Sequence, residues 1–149
     1  MNILISGYFD RNFGDDIMIR IVCHQLSDHQ FFAEESRKEL LLPFADIPNF
    51  HDLDMAGDVV IDKSLRVIGS GFMINDKAGI YYAIGRIYGD KSRLSKNVIG
   101  CNIDVNKNAF ARWLSKQEIK KYDLVTVRDT FSLAFLKQKI KKRKASCFP

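Results

Sequence analysis

The sequence predicts an α/β protein, a Rossmann-like parallel sheet with helices on both faces. Three observations predict it. The strand-like runs are short and apolar throughout, as in "NILIS" (2–6), "NVIGCNI" (97–103) and "DLVTV" (123–127). Strands buried on both faces read this way, whereas half-exposed strands alternate. Segments of helical period separate these runs, which gives the order strand, helix, strands, helix, strand, helix, strand, helix. Three of the strand ends run into loops rich in Gly, Asn and Asp, where ligands sit in open α/β sheets.

Each element has its own signal. "NILIS" closes on Gly7, and Met18, Ile19, Ile21, Val22 and Leu26 then form a wide helical stripe reaching about Asp28. "FFAEE" and "ELLLPF" are weaker strand or loop segments, and Pro43 and Pro48 mark an irregular surface stretch. "DVVID" (58–62) and "LRVIGSG" (65–71) each predict a strand. Ile80, Ala83, Ile84 and Ile87 fit i, i+3, i+4, i+7 and predict a helix over roughly 77–88. Phe110, Trp113 and Leu114 begin a further helix, and "SKQE" (115–118) reads as a capping box opening a second short one. Phe131, Leu133, Ala134, Phe135, Leu136 and Ile140 give a closing helix.

At 149 residues, with 46% hydrophobic and 28% charged residues, the chain is long enough for one domain with a real core. The expectation is a single Rossmann-like domain over 1–149. The net charge is +5, and Lys137, Lys139, Lys141, Lys142, Arg143 and Lys144 supply six positive charges within eight residues. The remainder sums to −1, so no general nucleic-acid face is expected. The basic run reads as a solvated helix end, where cations suit the dipole, or as a phosphate or membrane-surface patch. Cys23, Cys101 and Cys147 lie far apart with no C-x-x-C pair, which predicts ordinary thiols in a reducing compartment. His24, His29 and His51 lack metal-ligand spacing. No signal peptide and no apolar run of about 20 residues is present. A cytoplasmic protein without a transmembrane segment, in at most peripheral contact with a membrane, is expected.

The first loop, "GYFDRNFGDD" (7–16), fails both nucleotide patterns. Five residues after Gly7 stands Asn12, with no Gly-Lys-Ser/Thr to follow, and Gly7 is followed by Tyr8 and Phe9 rather than x-Gly. Asp15 and Asp16 fill the helix N-terminus that a phosphate would need. Carboxylates, Asn12 and the Tyr8 ring suit sugar hydroxyls instead; one of the two aspartates suits the role of helix cap equally well. The second loop, "GSGFMIND" (69–76), pairs Gly69 and Gly71, which leave room for a close ligand or a neighbouring helix, with Asp76 as a candidate cap. The third, "VTVRDTFS" (125–132), sets Asp129 as a helix cap accepting from the amides of Phe131 or Ser132. Arg128 there clamps a carboxylate or phosphate, or pairs with an acid such as Asp15.

In this order the three loops resemble the polysaccharide pyruvyl transferase family. The matching residues are Gly7-Tyr8-Phe9, Asn12 and Gly14-Asp15-Asp16, then Gly69-Ser70-Gly71 through Asp76, then Arg128-Asp129 and Ser132. Asp10 stands where a glycine is usual, Asp16 where a Glu is usual, and Ser70 replaces a middle glycine. The resemblance implies the N-terminal domain of a glycosyltransferase-B-type enzyme, with a C-terminal donor-binding domain beyond this chain. It implies transfer of the enolpyruvyl group of phosphoenolpyruvate onto two hydroxyls of a saccharide, forming a cyclic ketal in surface-polysaccharide (exopolysaccharide) biosynthesis, with no cofactor. Asp15 and Asp16 are then the candidate catalytic bases, and Gly7, Tyr8, Asn12, Gly14, Gly69, Ser70, Gly71 and Arg128 the substrate-binding residues. On this reading the chain alone binds acceptor without turnover. The alternatives are a non-catalytic domain that binds sugar or pairs with a second polypeptide, and a nucleotide-sugar-dependent glycosyltransferase.

Overall fold

A computed structural model describes residues 1–67, 77–89, 94–103, 109–139 and 145–147. The chain divides into two compact units, Met1–Gly69 and Ser70–Pro149. Within both, every described strand pairing is parallel, and α-helices alternate with several of the strands, so the arrangement is α/β and Rossmann-like.

The first unit contains β1 (Asn2–Gly7), α1 (Phe13–Gln25), β2 (Gln30–Ala33), β3 (Phe50–Asp52) and β4 (Lys63–Val67). β1 lies between β2 and β4, and β3 flanks β2. Ile3 and Ile5 of β1 are buried, as an interior strand requires. On α1, Ile19, Val22 and Cys23 face the sheet at helical spacing. "ELLLPF" folds as two 3₁₀ turns, Lys38–Leu40 and Leu42–Phe44, because Pro43 cannot donate to a ladder. Two strand expectations change here. "DVVID" is not a strand: Asp62 instead accepts from the Asn2 amide, 2.8 Å, and anchors the start of β1. A strand at 50–52, just beyond the stretch marked by Pro43 and Pro48 and not expected from the sequence, pairs with β2.

The second unit contains α2 (Lys77–Ile84) with a π turn over Gly85–Gly89, then β5 (Ser95–Cys101), α3 (Ala109–Ile119), β6 (Leu124–Val127), α4 (Thr130–Lys139) and β7 (Ala145–Cys147). β6 pairs with both β5 and β7. Ala83 and Ile87 pack against Ala111 and Leu114, which joins α2 to α3. The β5–β6 register shifts between Val98 and Cys101. Gly100 sits there at φ +71°, a conformation that L side chains rarely adopt, and its N–H donates to Thr126 Oγ1 at 3.0 Å. "SKQE" opens no second helix. α3 is continuous, and Ser115 and Glu118 are buried on its inner face. The expected Gly69-Ser70-Gly71 turn and Asp76 lie outside the described residues, as does most of the lysine run. Among the described residues, no helix is long and apolar enough to cross a membrane.

Candidate functional site

Parallel pairing brings the carboxyl ends of β1, β2, β3 and β4 to one edge of the first unit, with Gly7 opposite Val67 and Ala33 opposite Asp52. The loop from Gly7 to Phe13 leaves from this edge. A Cβ on Gly7 would stand 2.8 Å from Ile19 Cδ1 and 3.2 Å from the Val67 carbonyl oxygen. Glycine therefore lets α1 return this close to the sheet without displacing the Ile19 methyl or pressing on the Val67 carbonyl. The next two residues point in opposite directions. Phe9 is buried and meets Phe44 and Phe50 edge-on, at 5.8 and 6.5 Å between centroids. That anchor turns Tyr8 outward, half exposed, and its hydroxyl donates to Asp10 Oδ2 at 3.1 Å. The hydrogen bond to the Asp10 carboxylate raises the Tyr8 pKa. Arg11 follows at φ +53°, an uncommon conformation for a residue with a Cβ.

The helix cap is Asn12, not Asp15 or Asp16. Asn12 Oδ1 accepts from the Gly14 N–H at 3.2 Å, and its Nδ2 donates to Asp15 Oδ2 at 2.9 Å. Asn is a strong N-cap, and its amide supplies a donor that an aspartate would lack. Gly14 has open space around it, since a Cβ would meet only Asn12 Oδ1 at 3.7 Å.

The adjacent carboxylates thus separate in role. Asp15 is 5% exposed and held by Asn12 on the inner side of the first turn. Asp16 is partly exposed. Burial pushes its pKa up, the neighbouring Asp15 adds to this, and Arg20 one turn along opposes it. Arg20 is committed elsewhere, to both carboxylate oxygens of Asp46 at 2.7 and 3.1 Å and to the Pro43 carbonyl. Asp16 is therefore the carboxyl group at this edge that is reachable from solvent and biased toward holding a proton.

A cation missing from the sequence reading also stands here. Arg37 follows β2 at the same edge, and its ion pairs to Asp10 and Glu35 are long, 3.9 and 3.8 Å, on a side chain 58% exposed. Such pairs hold a guanidinium loosely. Adjacent Lys38 is tightly held by Asp52 and Asp54 at 2.7 and 2.6 Å. The signal available in the sequence was position: a basic residue just past a strand that neighbours β1 must arrive at this edge.

In the second unit, Arg128 and Asp129 directly follow β6, as expected. Asp129 caps α4, accepting from the Ser132 N–H at 2.7 Å and from its hydroxyl at 2.6 Å. These bonds hold its pKa below the usual carboxylate range. Ser132 Oγ in turn accepts from the Ile103 N–H at 2.9 Å. The R-D-x-x-S pattern therefore ties the end of β5 to the start of α4. Arg128 itself is exposed. Buried Cys23 is pushed up to about 12 by desolvation and is a poor nucleophile. Among the described residues, no group of three His, Cys, Asp or Glu side chains could hold a metal ion.

No curated protein and no solved structure matches the chain. The sequence model of the polysaccharide pyruvyl transferase family matches residues 12–149, nearly the whole length, and the chain belongs to that family.

Proposed function

We propose that the protein takes part in moving the enolpyruvyl group of phosphoenolpyruvate onto two hydroxyls of one saccharide, forming a cyclic ketal and releasing phosphate. The family supports polysaccharide pyruvylation as the overall activity. The observation that carries the residue roles is Asp16, a solvent-reachable carboxyl group with a raised pKa at the carboxyl edge of the sheet. In the reaction, the methylene carbon of the donor gains a proton and becomes the ketal methyl. The central carbon, now electrophilic, forms a bond to the first hydroxyl oxygen. The carbon–oxygen bond to phosphate then breaks, and the second hydroxyl closes the ring. One hydroxyl proton balances the methyl group and the other leaves with phosphate. A solvent-reachable carboxyl group with a raised pKa can give a proton to the methylene carbon and take one from a hydroxyl.

Asp16 is the proposed acid–base group, and Asp15 its buried neighbour that helps keep the pKa raised. Asn12 and Gly14 shape the helix start, Gly7 admits its close return, and the outward Tyr8 ring offers a platform for a sugar face. Arg37 is proposed to hold the donor carboxylate or phosphate, for which a loosely paired guanidinium is well suited. Arg128 and the Gly69-Ser70-Gly71 turn remain in the proposal as further substrate contacts on the family resemblance.

Phe13, Ile17 and Ile21 recur at i, i+4 and i+8 on α1 and are 79%, 37% and 55% exposed. An apolar stripe beside the loop is where a second polypeptide or a further domain would close over the substrates. The test uses the native gene product with phosphoenolpyruvate and a panel of methyl hexosides. Phosphate release and the ketal methyl resonance are followed together. Asp16→Asn is expected to lower turnover by about 10²-fold or more, the scale of general acid–base catalysis. Arg37→Ala is expected to raise the donor KM. Full activity in Asp16→Asn would remove Asp16 from the chemistry.

A further inference from the structure

The near-neutral total for the body of the chain conceals a segregation of charge. Ser70–Pro149 carries 17 of the 23 Lys and Arg but 6 of the 18 Asp and Glu, a net +11, or +5 without the six charges of the lysine run, whereas Met1–Gly69 is at −6. On the second unit, α3 turns one face inward through Ala111, Leu114, Ser115, Glu118 and Ile119. Its outer half is divided lengthwise. Phe110 and Trp113 form an aromatic strip, 50% and 45% exposed, with rings stacked at 5.9 Å. Arg112, Lys116 and Lys120 follow at i, i+4 and i+8 beside it. Neighbouring α2 adds Tyr81, 74% exposed, and the π turn that continues it adds Tyr88, 64% exposed.

We propose that this outer face of α3, with the exposed tyrosines of α2 and its π turn, docks onto an anionic lipid bilayer. Charge complementarity selects an anionic partner, and the form of the face selects a bilayer. Trp, Tyr and Phe beside Lys and Arg on a helix lying in the membrane plane sink the rings to the headgroup level while the cations meet lipid phosphates. A single-stranded nucleic acid would need open ring faces for its bases, but Phe110 and Trp113 cover one face of each other. The partly exposed aliphatic Ile84 of α2, between the two tyrosines, gains from an acyl boundary and nothing from stacking. The inference is independent of the reaction proposed above.

The chain holds a single tryptophan, so Trp113 reports on its own face. The full chain is mixed with vesicles of phosphatidylcholine alone, or with phosphatidylglycerol added, at low and high salt. The expected result is sedimentation with the anionic vesicles only, weakened by salt, together with blue-shifted Trp113 emission that brominated lipid quenches. Lys116→Glu with Lys120→Glu should cut the partition coefficient by at least about five-fold per lysine. Phe110→Ser should cut it by about five-fold through lost apolar contact. Absence of sedimentation overturns the proposal. Sedimentation with unshifted emission also overturns it, by assigning the binding to charge elsewhere, such as the lysine run. Undiminished binding by the variants has the same meaning. Quenching by poly(U) without vesicle binding would assign the face to nucleic acid. A blue shift that depends on protein concentration without lipid would assign it to self-association.

Discussion

Replacing Ser132 with Ala removes one hydroxyl that serves two partners. Its oxygen accepts the Ile103 N–H at 2.9 Å and donates to Asp129 Oδ2 at 2.6 Å. Ile103 and Ser132 are 2% and 1% exposed, so in the variant the Ile103 amide is left buried and unbonded. That costs about 1–3 kcal/mol. The lost hydroxyl–carboxylate bond adds about 1 kcal/mol or less, because Asp129 is partly exposed and water replaces the donor. The Ser132 N–H bond to Asp129 Oδ1 uses backbone and survives, so the cap is retained. The expected loss is about 2–3 kcal/mol, a fall of roughly 6–9 °C in Tm for a chain of this size. Asp129→Ala removes the cap, worth about 1–2 kcal/mol, but leaves Ser132 bonded to Ile103. The neutral serine should therefore matter more than the charged aspartate. Asp129 has a lowered pKa, so its contribution is present above the unfolded value near 3.8 and is lost as pH falls through the lower folded value. The gap between wild type and Ser132→Ala should accordingly narrow in acid. Thermal melts over pH, with amide exchange at Ile103, read all of this. An unchanged Ile103 exchange rate, or a larger loss for Asp129→Ala, refutes the reasoning.

Gly7→Ala should cost about 1–3 kcal/mol by overpacking against Ile19 Cδ1 and the Val67 carbonyl. Adding Ile19→Val deletes that methyl, so in urea melts the double variant should lose less than the two single losses combined. Asn12→Asp keeps the cap acceptor but sets a second carboxylate where Nδ2 now meets Asp15 at 2.9 Å. The two carboxylates should then repel once ionised, so the variant should match wild type in acid and lose stability as pH rises through the carboxylate range. Asp16→Asn should stabilise the fold at neutral pH. Its raised pKa means the folded carboxyl binds its proton more tightly than the unfolded one, so wild-type stability falls as pH rises from about 3.8 through the folded value. The advantage of the amide should vanish below that window in a pH series of melts.

The strands and helices legible in the sequence were those with strong local signals. "NILIS" and "DLVTV" are mostly apolar because both are interior strands, and of the expected α1 stripe Ile19 and Val22 are buried, joined by Cys23, whereas Ile21 and Leu26 are exposed. What escaped was set by tertiary pairing. Phe50–Asp52 is three residues long and becomes a strand through its ladder with Phe31–Ala33. "SKQE" carries the right letters for a cap, but Ser115 and Glu118 fall on the buried face of a helix already under way from Ala109. In the proposed site, Gly7, Tyr8, Asn12 and the Asp15-Asp16 pair were singled out by residue type and by the family resemblance. Arg37 was not, since its place at the edge depends on which strand lies beside β1.

The pair Asp15-Asp16 shows how one helical turn converts adjacent, chemically equal residues into different ones. One residue is 100° of rotation on a helix. Asp15 shares the inward face with Ile19, Val22 and Cys23, and it stays there because Asn12, as N-cap three residues earlier, can turn its amide donor onto it. Asp16 is carried round to the partly exposed side, where Arg20 at i+4 would neutralise it. Arg20 instead reaches across to Asp46 and the Pro43 carbonyl. A carboxyl group at the positive end of a helix dipole would ordinarily have a depressed pKa. Here burial and the Asp15 charge outweigh the dipole and Arg20, and the net shift is upward. Burial is the larger cause of the proton-holding tendency, and the apparent excess of acid in the loop adds to it. Removing Asp15 should return Asp16 toward an ordinary carboxylate even though Asp15 touches no substrate in the proposed reaction. A carboxyl-carbon NMR titration of Asp15→Asn is the measurement: the Asp16 pKa should fall part of the way, and an Asp16 pKa unchanged from wild type would leave desolvation as the sole cause.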